Sequence, residues 1–377
     1  MRFSSLILKN LTRRRFRTLL TLSALATAIA AVIALLGIAR GFTKSFAEVY
    51  SAHGIDIVVS RQGSADRLSS SVDLGFAQRI EGLSAVDRVA GVLLETLSFE
   101  EQSVYGVPSM GIAPDSWLLK DFRLRAGDSL PADEPKTLLL GVHLADRMQL
   151  KPGDSVNLFE EKYRVAGIFE STSTWENGSM ILPLAQLQLL TDRASQVTYI
   201  NVVLRRPVTA TEASRTLSAI EDLDPKLLPL ATDDFVKTDT RMQLAGAMAW
   251  MTSAVAVFIG AIGTLNTMMT SVLERTREIG ILRAIGWPRR RIVTMILAES
   301  CAIAFLASLL GAFVAVIGTW ALAQTPAARG ILSPSIDFSI LLQGTALALT
   351  IGLLGAILPA FRAARLQPTE AFRESHS

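Results

Sequence analysis

Four long segments without a charged side chain constrain the fold of this chain more than any other feature. Each of them runs for at least 20 residues. An α-helix needs roughly that length to cross a hydrocarbon core of ~30 Å. We therefore predict transmembrane helices TM1 to TM4 at 18–39, 242–273, 292–323 and 338–361.

The composition excludes several other classes of protein. Half of the 377 residues are hydrophobic and the mean hydropathy is +0.38, whereas a soluble domain covers its surface with charge. A wholly soluble enzyme and a disordered chain are both excluded. The single cysteine, Cys301, also excludes a disulfide scaffold. The prediction is a membrane α-helical fold with a large α+β extracytoplasmic domain inserted between the first two spans, at 40–241.

The distribution of charged residues predicts the orientation of the chain in the membrane. The segments 1–17 and 274–291 each carry six Lys or Arg residues, against no acid in the first and two in the second. The positive-inside rule places both of them, and the tail 362–377, in the cytoplasm, and the loop 324–337 outside. The segment 40–241 has 28 acids and 21 basic residues, so the basic residues flank the membrane and predict no nucleic-acid partner. The expected location is the cytoplasmic (inner) membrane.

The N-terminal region leaves two alternatives open. TM1 is longer than the apolar part of a usual signal peptide, so an uncleaved signal anchor is favoured over a cleaved leader. Residues 1–17 are expected to form an amphipathic helix in the cytoplasmic interface, with the first turns of TM1 itself as the alternative.

The insert carries strand and helix patterns in alternation. Turn residues at Lys151–Asp154 and alternating apolar residues predict several strands. TM2 would be roughly 48 Å long as a helix, and Phe42, Phe46 and Tyr50 continue TM1 at helical spacing. We therefore expect helical stalks at both ends of the insert. Strands are expected at 55–59, 89–97, 102–107, 156–159, 163–168 and 197–204, and helices at 74–81, 144–148, 184–190 and 211–220.

The segment 274–291 contains the pattern of a short amphipathic helix. Ile279, Leu282 and Ile285 form its apolar side, Gly286 is suited to end it, and Pro288 to open the next element. Such a helix between two spans either lies on the membrane surface or docks in a groove of a cytosolic partner.

Two of the cytoplasmic segments carry a family resemblance. The run ERTREIGILRAIG at 274–286 resembles the signature of FtsX/MacB-type (type VII) ABC transporter permeases, with a LolC/LolE-like architecture. The run LPAFRAARLQPTEAFR at 358–373 resembles the closing motif of that family, with Phe372 in place of leucine. Residues 56–60, and 140–145 followed by 151–154, resemble its MacB-like periplasmic core domain.

The resemblance implies a permease that works with a separate ABC ATPase, pairs with a second permease copy, and engages a periplasmic adaptor in some members. It implies that the loop helix is the coupling helix seated in the ATPase, and that movement is transmitted to the outer domains (mechanotransmission). Position by position, the coupling helix would comprise Glu274, Arg277, Glu278, Gly280, Ile281, Arg283, Ala284 and Gly286.

No catalytic or cofactor site is predicted for this chain. A P-loop needs a Gly-Lys pair, which the sequence lacks, so we expect ATP and Mg²⁺ to be bound by the partner ATPase. His53, His143 and His376 lack metal-ligand spacing, and we expect surface or capping residues there.

Two features of the spans are candidate helix contacts. Glu299 in TM3 is expected to pair with an Arg of a neighbouring helix as a polar lock, with a transport-proton site as the alternative. In TM4, small residues recur every fourth position and predict a close packing face, within the chain or across a dimer. They are Gly344, Ala348, Gly352 and Ala356.

Export or extraction of a substrate at the outer face is the favoured function. The alternative is an FtsX-like signal transducer that regulates an extracytoplasmic partner such as a cell-wall hydrolase.

Overall fold

The computed structural model describes residues 15–63, 69–159, 161–325 and 334–366. The chain divides into two compact units, with boundaries at Arg40/Gly41 and Leu244/Ala245. We call residues 41–244 the inserted domain. The described part of the helical unit comprises residues 15–40, 245–322 and 334–366, and two of its long helices continue into the inserted domain.

The helical unit contains four helices that are long and apolar enough to cross a membrane. They are α1 (Arg15–Ser51), α9 (Thr240–Glu274), α11 (Arg289–Ala323) and α12 (Phe338–Arg365), and the short α10 (Thr276–Ala284) joins α9 to α11. The four helices cover the four predicted spans. The expected interfacial segment 1–17 and the end of the closing motif lie largely outside the described residues.

Small residues let the long helices approach one another closely, as two contacts show: α11 with α1, and α12 with α9. A methyl group added at Gly311 of α11 would lie 2.7 Å from the Ala26 carbonyl oxygen of α1. One at Gly355 of α12 would lie 2.6 Å from Thr264 Cβ of α9. In lipid, dispersion between closely packed backbones holds helices together, so each such glycine sets an interhelical distance.

The inserted domain is an α+β fold around a mixed sheet. Its strand order is β12-β1-β11-β3-β4-β9-β6-β8-β5, with β7 paired to β8, and β2 and β10 form a separate pair. The strands are β1 (Ile57–Arg61), β2 (Val72–Asp73), β3 (Val86–Phe99), β4 (Val104–Ile112), β5 (Arg123–Gly127), β6 (Thr137–Gly141), β7 (Ser155–Leu158), β8 (Glu161–Glu170), β9 (Met180–Pro183), β10 (Gln196–Val197), β11 (Tyr199–Leu204) and β12 (Leu227–Ala231).

Both faces of this sheet are covered. Ile57 and Val59 of β1 point into one core and Val58 into the other. Leu139 of β6 likewise lies on the opposite face from its two neighbours. Strands buried on both faces are apolar without alternation, as these are. The covering helices are α2 (Gly75–Glu81), α3 (Trp117–Asp121), α4 (Val142–Met148), α5 (Thr174–Asn177), α6 (Leu184–Leu190), α7 (Ala210–Glu221) and α8 (Thr232–Lys237).

The fold class predicted from the sequence is confirmed, while several local boundaries are different. The first strand of the insert lies at Ile57–Arg61 rather than 55–59, and the strand expected at 197–204 is divided by Thr198 between β10 and β11. The helix at Leu184–Leu190 has the predicted bounds. The sequence did not predict the strands β2, β5, β6, β9 and β12 or the helices α3, α5 and α8.

Candidate functional site

The linker helix α10 ends in a geometry that requires glycine. Gly286 has φ +96°, in the left-handed region that disfavours other residues. The Gly286 amide donates to the Arg283 carbonyl at 3.0 Å, and the Trp287 amide donates to the Leu282 carbonyl at 3.1 Å. Together these bonds form a Schellman motif, with Leu282 and Trp287 in the same apolar cluster. The chain direction after α10 is therefore fixed.

One face of the linker helix is buried in the helical unit. Ile279 and Gly280 are buried, and Leu282 is half-buried. Ile279 belongs to a cluster with Ile292 and Ile296 of α11 and with three alanines at the end of α12. Since burying an isoleucine contributes about 1.5–3 kcal/mol, this contact holds α10 against both helices.

An ion pair holds the start of the linker helix. Arg275, which precedes α10, places Nη1 2.9 Å from Oε2 and 3.1 Å from Oε1 of Glu299 on α11. Both side chains are about nine-tenths buried. A buried charge is tolerated when it is paired, and here each member supplies the partner of the other. Glu299 thus joins α11 to α10.

The opposite face of the linker helix is exposed. Arg277 and Ile281 are four positions apart, Ala284 and Ile285 continue the same stripe, and Glu278 lies beside it. Ile285 is 73% exposed. Its expected place on the apolar side with Ile279 is wrong, because the last turn directs Ile285 away from the α11 and α12 contact. We call Arg277, Glu278, Ile281, Ala284 and Ile285 the exposed face.

The predicted coupling-helix residues therefore fall into two groups. Five residues, Glu274, Arg277, Glu278, Ile281 and Ala284, are exposed, and so is Gly286 at the cap. Gly280 is buried, and the half-buried Arg283 donates from Nη1 to the Trp287 carbonyl at 2.9 Å. These two residues lie where they support the helix rather than where a partner could reach them.

Arg275 and Trp287 support the linker helix, and neither was predicted from the sequence. Arg275 binds Glu299, and the guanidinium of Arg291 lies 4.3 Å from the centre of the Trp287 ring. An aromatic residue directly after a helix-ending glycine was the available signal for Trp287. Arg275 could not be chosen among the six arginines of the segment, because its partner is 24 residues away.

The small-residue stripe of α12 is buried within the chain. A methyl group at Gly344 would lie 2.6 Å from Ile33 Cγ1 of α1, and one at Gly352 would lie 2.8 Å from Ala304 Cβ of α11. Ala348 and Ala356 have no exposed surface. The Ser300 hydroxyl of α11 also donates to the Gly352 carbonyl at 2.7 Å.

One histidine lies in a different environment from the one expected. His53, expected at the surface or as a cap, is instead buried at 7% exposure between two carboxylates. Within the described ranges no group of three or more His, Cys, Asp and Glu side chains could hold a metal ion.

Two family models match the chain. The MacB-like periplasmic core domain matches residues 18–220, and the FtsX-like permease C-terminal domain matches residues 250–368. The first covers more than half of the chain. The linker helix and α12 lie in the second, and most of the inserted domain lies in the first.

Curated relatives match nearly all of the chain at low identity. The macrolide export ATP-binding/permease protein MacB of Nitrobacter winogradskyi is 26% identical over 380 residues, covering 94% of this chain and 57% of that protein. The chain thus spans little more than half the length of this relative. The uncharacterized ABC transporter permease YknZ of Bacillus subtilis is 36% identical over 121 residues, 32% of this chain and 30% of that protein.

A solved structure also resembles about half of this chain. The periplasmic region of MacB from Actinobacillus actinomycetemcomitans has a TM-score of 0.39 at 16% identity, covering 49% of this chain and 94% of that one. From the family models, this chain belongs to the ABC transporter permeases that combine a MacB-like periplasmic core domain with an FtsX-like permease C-terminal domain.

Proposed function

We propose that this chain is the permease subunit of an ABC transporter whose linker helix receives the movement of a separate ATPase. The observation that carries the proposal is the division of α10 into a fixed face and an exposed face. Ile279 and the Arg275–Glu299 pair hold it to α11 and α12, so a force applied to the exposed face is passed to the spans. A loose helix would absorb such a force.

The exposed face has the chemistry of a docking helix. Its apolar centre, Ile281 and Ile285, is flanked by the charges of Arg277 and Glu278. Apolar anchors at helical spacing with charged neighbours suit a groove on a protein partner. Permeases of this family work with an ABC ATPase, and we propose that subunit as the occupant, with ATP and Mg²⁺ bound there and not by this chain. In this proposal α10 and both termini lie on the cytoplasmic side of the inner membrane.

The inserted domain suggests what the transporter does at the outer face of the membrane. We propose that ATP binding moves this domain through α1 and α9, for export or extraction of a substrate at the outer face. The names of the curated relatives, which describe macrolide export, support export over FtsX-like signalling. A second permease copy is expected, and α9, the most exposed of the four long helices, offers it an apolar face. A periplasmic adaptor is a further proposed partner.

The test is the capture of the ATPase by variants of the exposed face. The tagged chain is purified from its native membranes, and the bound ATPase is identified by mass spectrometry and quantified. The double variant Ile281→Asp with Ile285→Asp should lose the ATPase while retaining its own thermal stability. Leu189→Asp on the inserted domain is the matched control, because Leu189 is 76% exposed. Equal capture by both variants would contradict the proposal.

A further inference from the structure

His53 occupies the turn between α1 and β1 and is almost entirely buried. Its imidazole Nε2 lies 3.2 Å from Oε1 of Glu176, and its Nδ1 lies 3.6 Å from Oδ2 of Asp121. The second distance is an ion-pair distance, and Nδ1 makes no hydrogen bond. The Phe122 ring packs against the imidazole, with 4.8 Å between ring centres. One imidazole thus lies between two carboxylates from different elements.

The imidazole of His53 stabilises the buried carboxylate of Glu176. The Glu176 side chain is 1% exposed, and its Oε2 accepts a hydrogen bond from the Ser171 hydroxyl. A buried carboxylate is costly unless it is neutral or paired with a positive group. Within the described ranges, His53 is the group at ion-pair distance that can supply the charge. A doubly protonated imidazole therefore balances the charge of an ionised Glu176.

Other charged groups nearby are engaged elsewhere or turned to solvent. Arg123 and Glu170 line the open cavity of about 380 Å³ beside His53. Glu170 lies 3.6 Å from Arg125. Arg206, which follows β11, pairs with Asp56 at 2.9 Å. Among the described residues, Asp121 and Glu176 are the ones within ion-pair distance of His53, so they set its charge state.

The same place joins the end of α1 to the short helix α5. The Ser173 hydroxyl donates to the Ser45 carbonyl at 2.8 Å, and the Trp175 amide donates to the Ser45 hydroxyl at 3.1 Å. The Phe46 and Trp175 rings meet edge to face at 6.3 Å. His53 to Glu176 is the titratable member of this set of contacts. The remaining contacts do not change with pH.

We propose that His53, Asp121 and Glu176 form a pH-sensitive junction that holds the end of α1 to the α5 turn while the imidazole is charged and loosens when it becomes neutral. We call these three residues the His53 junction. A neutral imidazole can still donate one proton to Glu176, but it loses its attraction to both carboxylates. The regulatory consequence, weaker transmission from α1 to the inserted domain at alkaline external pH, rests on the function proposed above.

The direction of the pH dependence follows from the surroundings of His53. Burial lowers the pKa of the imidazole, whereas the hydrogen bond and charge of Glu176 and the charge of Asp121 raise it, and the net result is a raised pKa. A raised pKa in the folded state means that the stabilisation is fully present below the usual value of about 6.5. It is lost as the pH rises through the folded value. The junction is therefore closed at acidic pH and looser at alkaline pH.

The experiment uses the full chain in nanodiscs without an ATPase. The histidines are labelled with ¹³C and ¹⁵N, and the titration of His53 is followed by NMR, with His53→Gln and His143→Gln to assign the signals. Hydrogen exchange of residues 171–179 is measured at pH 6 and pH 9. The protection of the wild type is divided by the protection of His53→Gln at the same pH, so that the intrinsic pH dependence of hydrogen exchange cancels.

We expect His53 to titrate above 6.5 and Asp121→Asn to lower its midpoint. Wild-type protection at 171–179 should exceed that of His53→Gln about tenfold at pH 6, and the ratio should approach one at pH 9. A ratio that does not change with pH, or a midpoint at or below 6.5, overturns the proposal. If His53→Gln does not fold, the wild-type titration decides. Because no ATPase is present, a failure of transmission leaves these readouts unaffected, so the two proposals fail separately.

Discussion

The Arg275 guanidinium lies 2.9 Å from the Glu299 carboxylate, and this buried pair joins the start of the linker helix to α11. Breaking a buried pair on one side leaves an uncompensated charge, which costs about 3–5 kcal/mol. We expect Glu299→Gln to lower the thermal unfolding midpoint of the chain in nanodiscs, and Arg275→Gln to do the same.

The combined variant separates the pair from the individual side chains. With both charges removed, the double variant should be more stable than either single variant, and the midpoints of the four proteins measure the coupling. If the effects of the two single substitutions simply add, Arg275 and Glu299 do not act as a pair.

Gly286 fixes the end of the linker helix through its left-handed backbone. A side chain at φ +96° costs about 1 kcal/mol, so Gly286→Ala should loosen the last turn and raise hydrogen exchange at 282–287. Asparagine tolerates this conformation better than alanine, and Gly286→Asn should therefore recover part of the protection. If hydrogen exchange at 282–287 is the same in Gly286→Ala as in the wild type, Gly286 does not fix the end of the linker helix.

Gly352 sets the distance between α12 and α11. A methyl group there would lie 2.8 Å from Ala304 Cβ, so Gly352→Ala should destabilise the chain by about 1–3 kcal/mol. Gly318→Ala is the matched control on a membrane helix, because its added methyl group meets no atom within 4 Å. Adding Ala304→Gly should restore part of the loss. Equal midpoints for Gly352→Ala and Gly318→Ala would show that the stripe is not a packing face.

The orientation of the chain can be tested with single cysteines. In a Cys301→Ser background, Leu189→Cys should react with a membrane-impermeant maleimide in intact cells. In cells that lack the ATPase, which would otherwise cover this position, Ile285→Cys should react only after the cells are opened. Both side chains are more than seven-tenths exposed, so access depends on the side of the membrane. Labelling in the reverse order would overturn the proposed topology.

The sequence predicts the spans and the end of the linker helix well, because both depend on local chemistry. A long stretch without charge is buried in lipid or protein, and Gly286 followed by Pro288 is a local signal for the end of a helix. The short buried strands β6 and β9 were missed for a local reason as well. Leu138–Leu140 and Met180–Leu182 do not alternate, since the sheet is covered on both faces.

The burial of His53 and the exposure of Ile285 were not predicted from the sequence, for different reasons. His53 lies 123 positions from Glu176, and nothing around it in the sequence indicates burial. Ile285 has the spacing of a buried residue, but the helix ends at Ala284 and the last turn exposes it. A tertiary contact that a single sequence does not contain decides the position of His53, whereas the exposure of Ile285 follows from the end of the helix.

The most direct test of the central proposal measures whether nucleotide binding by the ATPase moves the inserted domain through the linker helix. Spin labels at Leu189 and Phe338 in the native complex report the distance between the two units with and without a non-hydrolysable ATP analogue. The proposal predicts a shift in this distance. The Ile281→Asp with Ile285→Asp variant should abolish the shift, and Tyr105→Asp, at an exposed position of the inserted domain, should leave it unchanged. A distance that is the same with and without the nucleotide, or a shift that persists in the double variant, would contradict the proposal.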